Sequence, residues 1–90
     1  MTTAKPVRLT DAFAKKLPPI PAGYNSDDYI FFDERLQGFG LRVRDGRRTW
    51  IAQFRVRGKT KRRTLGAAEG PFAVEAKDAR GAAETLLAQV

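Results

Sequence analysis

Hydrophobic and polar residues alternate with a period of two between Phe39 and Gly66. One set of positions is apolar and comprises Phe39, Leu41, Val43, Trp50, Ala52, Phe54, Val56 and Leu65. The other set is polar and mostly basic, and comprises Arg42, Arg44, Thr49, Gln53, Arg55, Arg57, Thr60, Arg62 and Thr64. Because successive side chains of a strand point to opposite faces, the pattern predicts a sheet with one apolar face and one arginine face.

Two turns connect the three strands of this predicted sheet. Asp45-Gly46 suits a type I′ turn, which pairs Arg44 with Arg47, Arg42 with Thr49 and Leu41 with Trp50. Gly58-Lys59 predicts a type II′ turn, which pairs Arg57 with Thr60, Arg55 with Arg62 and Ala52 with Leu65. Three residues depart from the alternation: Ile51 falls on the basic face, whereas Lys61 and Arg63 fall on the apolar face of the last strand, where an edge position lets their stems cover the core.

Further elements flank this sheet. Residues 1–8 indicate a loose start, and Thr10 is the expected N-cap of a short helix, Asp11–Leu17, ended by prolines. Tyr29–Asp33 predicts a short first strand, and Gly38 and Gly40 suggest a bulge or a close backbone approach. A final helix is expected from about Ala73 to Val90, with an apolar stripe formed by Ala76, Ala79, Ala83, Leu86, Leu87 and Val90.

These elements predict an α+β fold: a three-stranded antiparallel sheet, to which a short first strand can be added, packed on one face by a C-terminal helix. The 90 residues indicate one domain over 1–90. It divides into an N-terminal arm (1–28), the sheet (29–66) and the C-terminal helix (72–90).

Charge is concentrated in the predicted hairpins. The net charge of +7 arises because residues 41–70 carry +8, whereas residues 1–40 carry 0 and residues 71–90 carry −1. A surface that confers only solubility would mix both signs, although arginines can also protect a sheet edge from pairing with another chain. Arginines placed across neighbouring strands repel one another unless an anion lies between them, which favours nucleic acid as the partner.

Catalysis is not expected from this chain. It has no cysteine and no histidine, which excludes disulfides and thiolate zinc sites and removes the commonest general base. Asp27-Asp28 and Asp33-Glu34 lie in or beside predicted loops, where turn and capping roles account for them. We expect no catalytic residue, no metal and no cofactor. No stretch approaches the length and apolarity that span a membrane, and the N-terminus lacks the basic-then-apolar pattern of a signal peptide, so we expect a cytoplasmic protein.

The arginine face has the side chains that recognise duplex DNA. A small sheet fits the major groove, where Arg reads guanine, Gln reads adenine, and Thr or Ile meets a thymine methyl. We expect Gln53 and one or two central arginines to contact bases, and Arg47, Arg48, Lys59, Lys61 and Arg63 to contact phosphates. The candidate DNA-binding residues are Arg42, Arg44, Arg47, Arg48, Thr49, Ile51, Gln53, Arg55, Arg57, Lys59, Arg62 and Thr64.

The chain also resembles a known family, the N-terminal arm-type DNA-binding domain of phage and prophage integrases, which are tyrosine recombinases. The resemblance is carried by LTDAFAKKLPP, YIFFDERLQGFGLRVRDGRRTWIAQFRVRGKTKRRTLG and KDARGAAETLLAQV. It implies that the sheet enters the major groove at arm-type sites flanking a recombination core, in a complex with other integrase subunits. It also implies a separate catalytic domain, so that this chain is an excised domain or a truncated protein, found in the bacterial cytoplasm with the nucleoid.

Two other functions stay open at this stage. A sheet-and-helix module can bind RNA, usually by stacking bases on exposed aromatic residues, but Trp50 and Phe54 fall on the predicted core side. The same basic face could dock an acidic protein partner. An enzyme in its own right is the least favoured reading, because catalytic groups are lacking.

Overall fold

The computed structural model describes residues 6–16, 20, 22–24 and 28–89. Within these ranges the elements are α1 (Asp11–Lys15), β1 (Asp28–Phe32), β2 (Phe39–Arg44), β3 (Arg47–Val56), β4 (Lys59–Ala67) and α2 (Ala76–Ala88). The strands form one antiparallel sheet in the order β1-β2-β3-β4. This confirms the predicted α+β fold, and the short first strand is a member of the sheet.

The hairpin between β2 and β3 has the predicted register. Asp45 and Gly46 both have positive φ, at 50° and 79°, as a type I′ turn requires. Arg44 lies opposite Arg47, and Leu41 opposite Trp50. The arginine side chains therefore share one face of this hairpin, and the large apolar side chains share the other.

The hairpin between β3 and β4 turns one residue earlier than predicted. Its central residues are Arg57 and Gly58, with φ of 53° and 79°, so the type II′ turn at Gly58-Lys59 was wrong. Glycine takes the second central position of a type I′ turn, as it does in the first hairpin. Each β3 residue from Ile51 to Val56 consequently faces a β4 partner two positions before the expected one: Arg55 faces Thr60, and Gln53 faces Arg62. A register shift of two residues preserves the alternation of side chains, so each of these side chains lies on its predicted face although the predicted register was wrong.

A β-bulge interrupts the same strand pair at Leu65. Ile51 faces Thr64 and Trp50 faces Gly66, which leaves Leu65 as the extra residue, and the predicted Ala52–Leu65 pair was wrong. Leu65 still packs against the core. At Gly38, where the sequence suggested a bulge or a close backbone approach, the close approach is found: a Cβ there would lie 2.6 Å from the carbonyl oxygen of Gln53.

Helix α2 packs on β3 and β4 and closes the apolar face. Three alanines of its predicted stripe, Ala76, Ala79 and Ala83, are buried and bring the helix close to Trp50 and Phe39, whose side chains are fully buried. The Trp50 indole Nε1 donates a hydrogen bond of 2.7 Å to the Val74 carbonyl. Trp50→Ala would cost about 3–5 kcal/mol of stability, because it removes the largest buried side chain. The last residue of the predicted stripe, Val90, lies outside the described residues.

The two helices are joined at their N-termini. Thr10 caps α1 as predicted, its Oγ1 accepting from the Phe13 amide at 3.1 Å. The expected end of α1 at Leu17 lies outside the described residues. Helix α2 begins at Ala76, later than predicted, because Val74 still donates its amide to Ala67. Asp11 Oδ1 accepts from the Ala76 amide at 2.7 Å and so caps α2 from the neighbouring helix.

The N-terminal segment is held more firmly than the sequence suggested. The Val7 amide donates to Phe32 at 2.9 Å, and the Val7 carbonyl accepts from Glu34 at 2.8 Å, in a parallel bridge beside Asp33. Leu9 is fully buried in the core. The expectation of a loose start was therefore wrong at Val7, whereas residues 1–5 lie outside the described residues.

Candidate nucleic-acid interface

The sheet has one face that neither α1 nor α2 covers, which we call the open face. Strands β2, β3 and β4 contribute to it Arg42, Arg44, Arg47, Thr49, Ile51, Gln53, Arg55, Thr60, Arg62 and Thr64. Strand β1 adds Asp28, Ile30 and Phe32, which lie opposite Arg44, Arg42 and Gly40. Nine of the twelve predicted DNA-binding residues therefore lie together on this face. The strand register brings them together, since odd-numbered residues of β3 lie opposite even-numbered residues of β2 and β4.

A concavity of about 540 Å³ occupies the part of the open face next to the β2–β3 turn. Its lining consists of Arg42, Arg44, Asp45, Arg47, Thr49, Ile51 and Thr64. All of these except Asp45 are residues that the sequence predicted to bind DNA. Arginines from two strands thus converge on one depression that is open to a large anionic ligand.

The floor of the open face is apolar, which the sequence analysis did not anticipate. Ile51 is only 1% exposed although it lies on this face. A Cβ on Gly40 would lie 2.9 Å from Ile30 Cγ2 and 3.4 Å from Phe32 Cδ1, so these two side chains cover the strand beside Ile51. Ile51 therefore shapes the concavity but offers almost no surface to a thymine methyl. The alternation of residues in β1 could have predicted this apolar surface, because Ile30 and Phe32 share the face of Arg42 and Gly40.

Arg42 is paired with an acid on the open face. Its Nε donates to Asp28 Oδ1 at 2.9 Å and its Nη2 donates to Asp28 Oδ2 at 2.8 Å. The pair is half-buried, with 25% of the Arg42 side chain and 39% of the Asp28 side chain exposed. The hydrogen bonds from Arg42 hold the pKa of Asp28 below its usual value, and the carboxylate raises the pKa of Arg42 in turn.

The remaining open-face arginines are more accessible. The side chains of Arg44 and Arg47 are exposed and make no hydrogen bond or ion pair with any other described residue. Arg62 donates through Nε and Nη2 to Gln53 Oε1, at 3.2 and 2.9 Å, which fixes the orientation of the Gln53 amide. Arg55 makes one weak contact, a 3.3 Å hydrogen bond from Nη2 to the Gly58 carbonyl. These side chains can approach phosphates without breaking strong internal bonds.

Three predicted residues lie elsewhere. Arg57 is in the β3–β4 turn, and Lys59 is beside it at the start of β4, opposite Val56 on the face that carries α2; both are exposed. Arg48 lies opposite Val43, also on the α2 face. Its guanidinium donates to Glu69 at 2.6 Å, to the Ala14 carbonyl at 2.8 Å and to the Lys15 carbonyl at 3.0 Å. Arg48 thus holds the C-terminal end of α1, and we leave it out of the proposed interface.

A second ionic cluster, which the sequence analysis missed, lies under the helices. The Asp33 side chain is fully buried and accepts from the Leu9 amide at 3.1 Å, the Leu36 amide at 3.0 Å and Arg80 Nη2 at 3.1 Å. Burial alone would raise the pKa of Asp33, but these donors outweigh it, and the pKa lies below its usual value. Arg80 also donates to the Leu9 carbonyl at 2.8 Å and stacks over the Phe39 ring at 5.3 Å. The cluster joins β1, α2 and the N-terminal segment.

Two further features of the described residues bear on function. In the described part of the chain, no group of three or more acidic side chains is placed to hold a metal ion. No helix among the described residues has the length and apolarity needed to cross a membrane.

The family model of the arm DNA-binding domain matches residues 9–90, a range that contains every strand and both helices of the described structure. No curated protein matches the chain.

Proposed function

Because the chain belongs to the arm DNA-binding domain family, which is non-catalytic and binds DNA, we propose that its open face enters the major groove of double-stranded DNA and distinguishes among sequences. The observation that carries the proposal is the concavity of arginines and threonines on a sheet face that the helices leave uncovered. The major groove admits a two-stranded β-ribbon, and its base edges present donor and acceptor patterns that Arg and Gln can distinguish.

Strand geometry supports this mode of binding. Same-face residues of a strand are about 6.6 Å apart, close to two base-pair steps of about 3.4 Å each. Arg42 and Arg44 are so spaced on β2, as are Gln53 and Arg55 on β3. A sheet can therefore follow the groove with successive side chains and without rearrangement.

The accessibility of each side chain suggests its role. Five basic residues lie on the open face or at its two turns with exposed side chains, and we assign phosphate contacts to them: Arg44, Arg47, Arg55, Arg57 and Lys59. We assign base contacts to Gln53 and Arg42, whose orientations are fixed by neighbouring side chains. Thr49, Arg62 and Thr64 lie on the same face and complete the interface.

We further propose that the domain serves a site-specific recombinase of the tyrosine recombinase class, in the integration or excision of a phage or another mobile element. The DNA would then be an arm-type site, the protein partners would be other integrase subunits, and the location would be the bacterial nucleoid. Catalysis would belong to a separate domain of the full-length enzyme. The reading frame that follows Val90 in the gene tests this context: a frame without a recombinase catalytic domain would contradict it.

Fluorescence anisotropy of a labelled DNA duplex, titrated at several salt concentrations, tests DNA binding by this face. We expect the logarithm of the association constant to fall with the logarithm of the salt concentration. The slope should be steeper than about −3, since each neutralised phosphate contributes about −0.9. Arg55→Ala should weaken binding, whereas Lys77→Ala, an exposed cation on α2, should not.

Four outcomes would contradict the proposal. A flat salt response would exclude a phosphate-binding face. Equal losses for Arg55→Ala and Lys77→Ala would remove the assignment to the open face. Tighter binding to an RNA duplex of the same sequence would favour the RNA-binding alternative. Tighter binding to an acidic protein than to duplex DNA would favour the protein-docking alternative.

A further inference from the structure

The open face carries an acid at a position where an anionic ligand would be expected to exclude one. Asp28 lies on this face, opposite Arg44, and binds Arg42 through both carboxylate oxygens. A carboxylate repels phosphate, and it cancels the charge of the arginine that it holds. Asp28 therefore lowers the general affinity of the face for nucleic acid, so its presence calls for another explanation.

The geometry of the pair leaves Arg42 with a defined set of free donors. A guanidinium has five N–H groups in a rigid planar arrangement. Asp28 takes the N–H of Nε and one N–H of Nη2. One N–H of Nη1 and the second N–H of Nη2 lie side by side on the terminal edge of the plane, and the other N–H of Nη1 points back towards Cδ. Two parallel donors on such an edge match the O6 and N7 acceptors of guanine in the major groove.

The location of Arg42 agrees with recognition of a base rather than a phosphate. Arg44 and Arg47 lie opposite each other at the turn end of the hairpin and are exposed. Arg42 lies one row further from the turn, opposite Thr49, with a quarter of its side chain exposed, and lines the concavity. A groove-bound duplex would meet the two outer arginines with its backbone and Arg42 with its base edges.

We propose that Asp28 is a positioning residue that locks Arg42 in the orientation for bidentate recognition of guanine, so that this pair sets sequence preference at one base pair of the DNA site. This inference rests on the proposed function, since it specifies how the open face selects DNA. The pair lowers the general affinity for DNA and raises the selectivity for one base, because Arg42 is unable to turn towards a phosphate while Asp28 holds it.

Selection from a pool of DNA duplexes with a randomised central segment tests the proposal. The wild-type domain should enrich duplexes with guanine at one defined position. Arg42→Lys keeps the charge but lacks the planar pair of donors, so the preference at that position should fall about tenfold or more. Asp28→Asn should weaken the same preference while binding to unselected duplexes becomes tighter, because Arg42 is released and one negative charge is lost.

Asp45→Asn is the matched control. It removes one negative charge from the lining of the same concavity without touching Arg42, and asparagine tolerates the positive φ of Asp45. It should tighten binding to all duplexes and leave the base preference intact. Thermal unfolding of each variant ensures that folded proteins are compared.

The outcomes separate this inference from the proposed function. If the wild-type domain does not bind the duplex pool, the proposed function fails and the inference fails with it. If the wild-type domain binds but Asp28→Asn and Asp45→Asn have the same effect on base preference, the proposed function stands and the role of Asp28 is overturned. An unchanged guanine preference in Arg42→Lys would also overturn it.

Discussion

The two faces of the sheet use arginine in opposite ways. On the side covered by the helices, Arg48 and Arg80 each bind a carboxylate and at least one backbone carbonyl, so both guanidinium groups are held by the protein itself. Arg80 Nε is buried without a hydrogen-bond partner among the described residues. On the open face, the side chains of Arg44 and Arg47 extend into solvent, without a hydrogen bond or ion pair to another described residue. The same side chain therefore joins structural elements on one face and is available to a ligand on the other.

This difference separates stability from affinity within a 90-residue domain. A covered arginine whose partner is buried contributes to folding, because losing either group leaves the other charge without compensation. An exposed arginine contributes little to folding, because water solvates it equally well in the unfolded chain. Substitutions on the two faces should accordingly change two different measurements, and Arg42, which is half-buried and paired on the open face, lies between these extremes.

Among the arginine substitutions, the largest effect is expected for Arg80→Ala on the covered side. It removes the guanidinium that binds Asp33 and the Leu9 carbonyl, and it leaves a fully buried carboxylate with only two amide donors. We expect a loss of about 3 kcal/mol, a large part of the roughly 5–15 kcal/mol that stabilises a typical domain. Urea denaturation followed by Trp50 fluorescence measures it.

Arg44→Ala is the matched control for that measurement. It also truncates an arginine, but one that is exposed, and its effect on stability should stay within about 0.5 kcal/mol. Equal losses of stability for the two variants would mean that the two faces do not differ in the way described.

The second effect concerns pH and also belongs to the covered face. The pKa of Asp33 is lowered in the folded state, so its contribution to stability is complete above the usual carboxyl pKa of about 4 and is lost as the pH falls through the lower pKa of the folded protein. Urea midpoints should therefore decrease as the pH is lowered below about 4. Asp33→Asn should be less stable at neutral pH and should lose less on acidification.

Asp28→Asn gives the comparison for the pH measurement. The pKa of Asp28 is lowered too, mainly by its hydrogen bonds with Arg42, but this carboxylate is partly exposed on the open face, where water screens the pair. The Asp28→Asn substitution should therefore remove a smaller part of the loss of stability in acid than Asp33→Asn does. The reverse order would indicate that the open-face pair, and not the buried cluster, controls stability in acid.

A third, smaller effect is expected on DNA binding. Arg44→Ala and Arg47→Ala should each reduce the salt slope of duplex binding by about 0.9, the contribution of one phosphate contact. Their unfolding midpoints should not change, because neither side chain binds another described residue. If the salt slope is unaltered in both variants, these arginines do not contact the DNA backbone.

Local alternation was sufficient to predict which face most side chains occupy. The same alternation places Arg48 with Trp50 on the covered face, where its guanidinium binds Glu69 and two backbone carbonyls. The phosphate contact that its charge suggested stays a prediction. The β3–β4 turn was predicted one residue late because Gly58 suits either central position of a tight turn, and the sequence does not say which one it takes.

Contacts between distant parts of the chain could not be predicted in this way. Asp33 meets Leu9 and Arg80, which are 24 and 47 residues away, and Asp11 caps a helix that begins 65 residues later. The pair of Arg42 and Asp28 likewise depends on the register of β1 against β2. No periodic pattern encodes such partners, because they arise only after the strands and helices have assembled.

The smallest effect should be a gain in stability at Gly81, on the exposed side of α2. A Cβ at this position would meet no atom within 4 Å, and glycine within a helix costs up to about 1 kcal/mol relative to alanine. Gly81→Ala should therefore raise the free energy of unfolding by about 0.5–1 kcal/mol. Because the open face lies on the other side of the sheet, the affinity for duplex DNA and its salt slope should not change. A variant that gained stability and lost affinity would show that α2 takes part in DNA binding, and the separation of the two faces would then have to be abandoned.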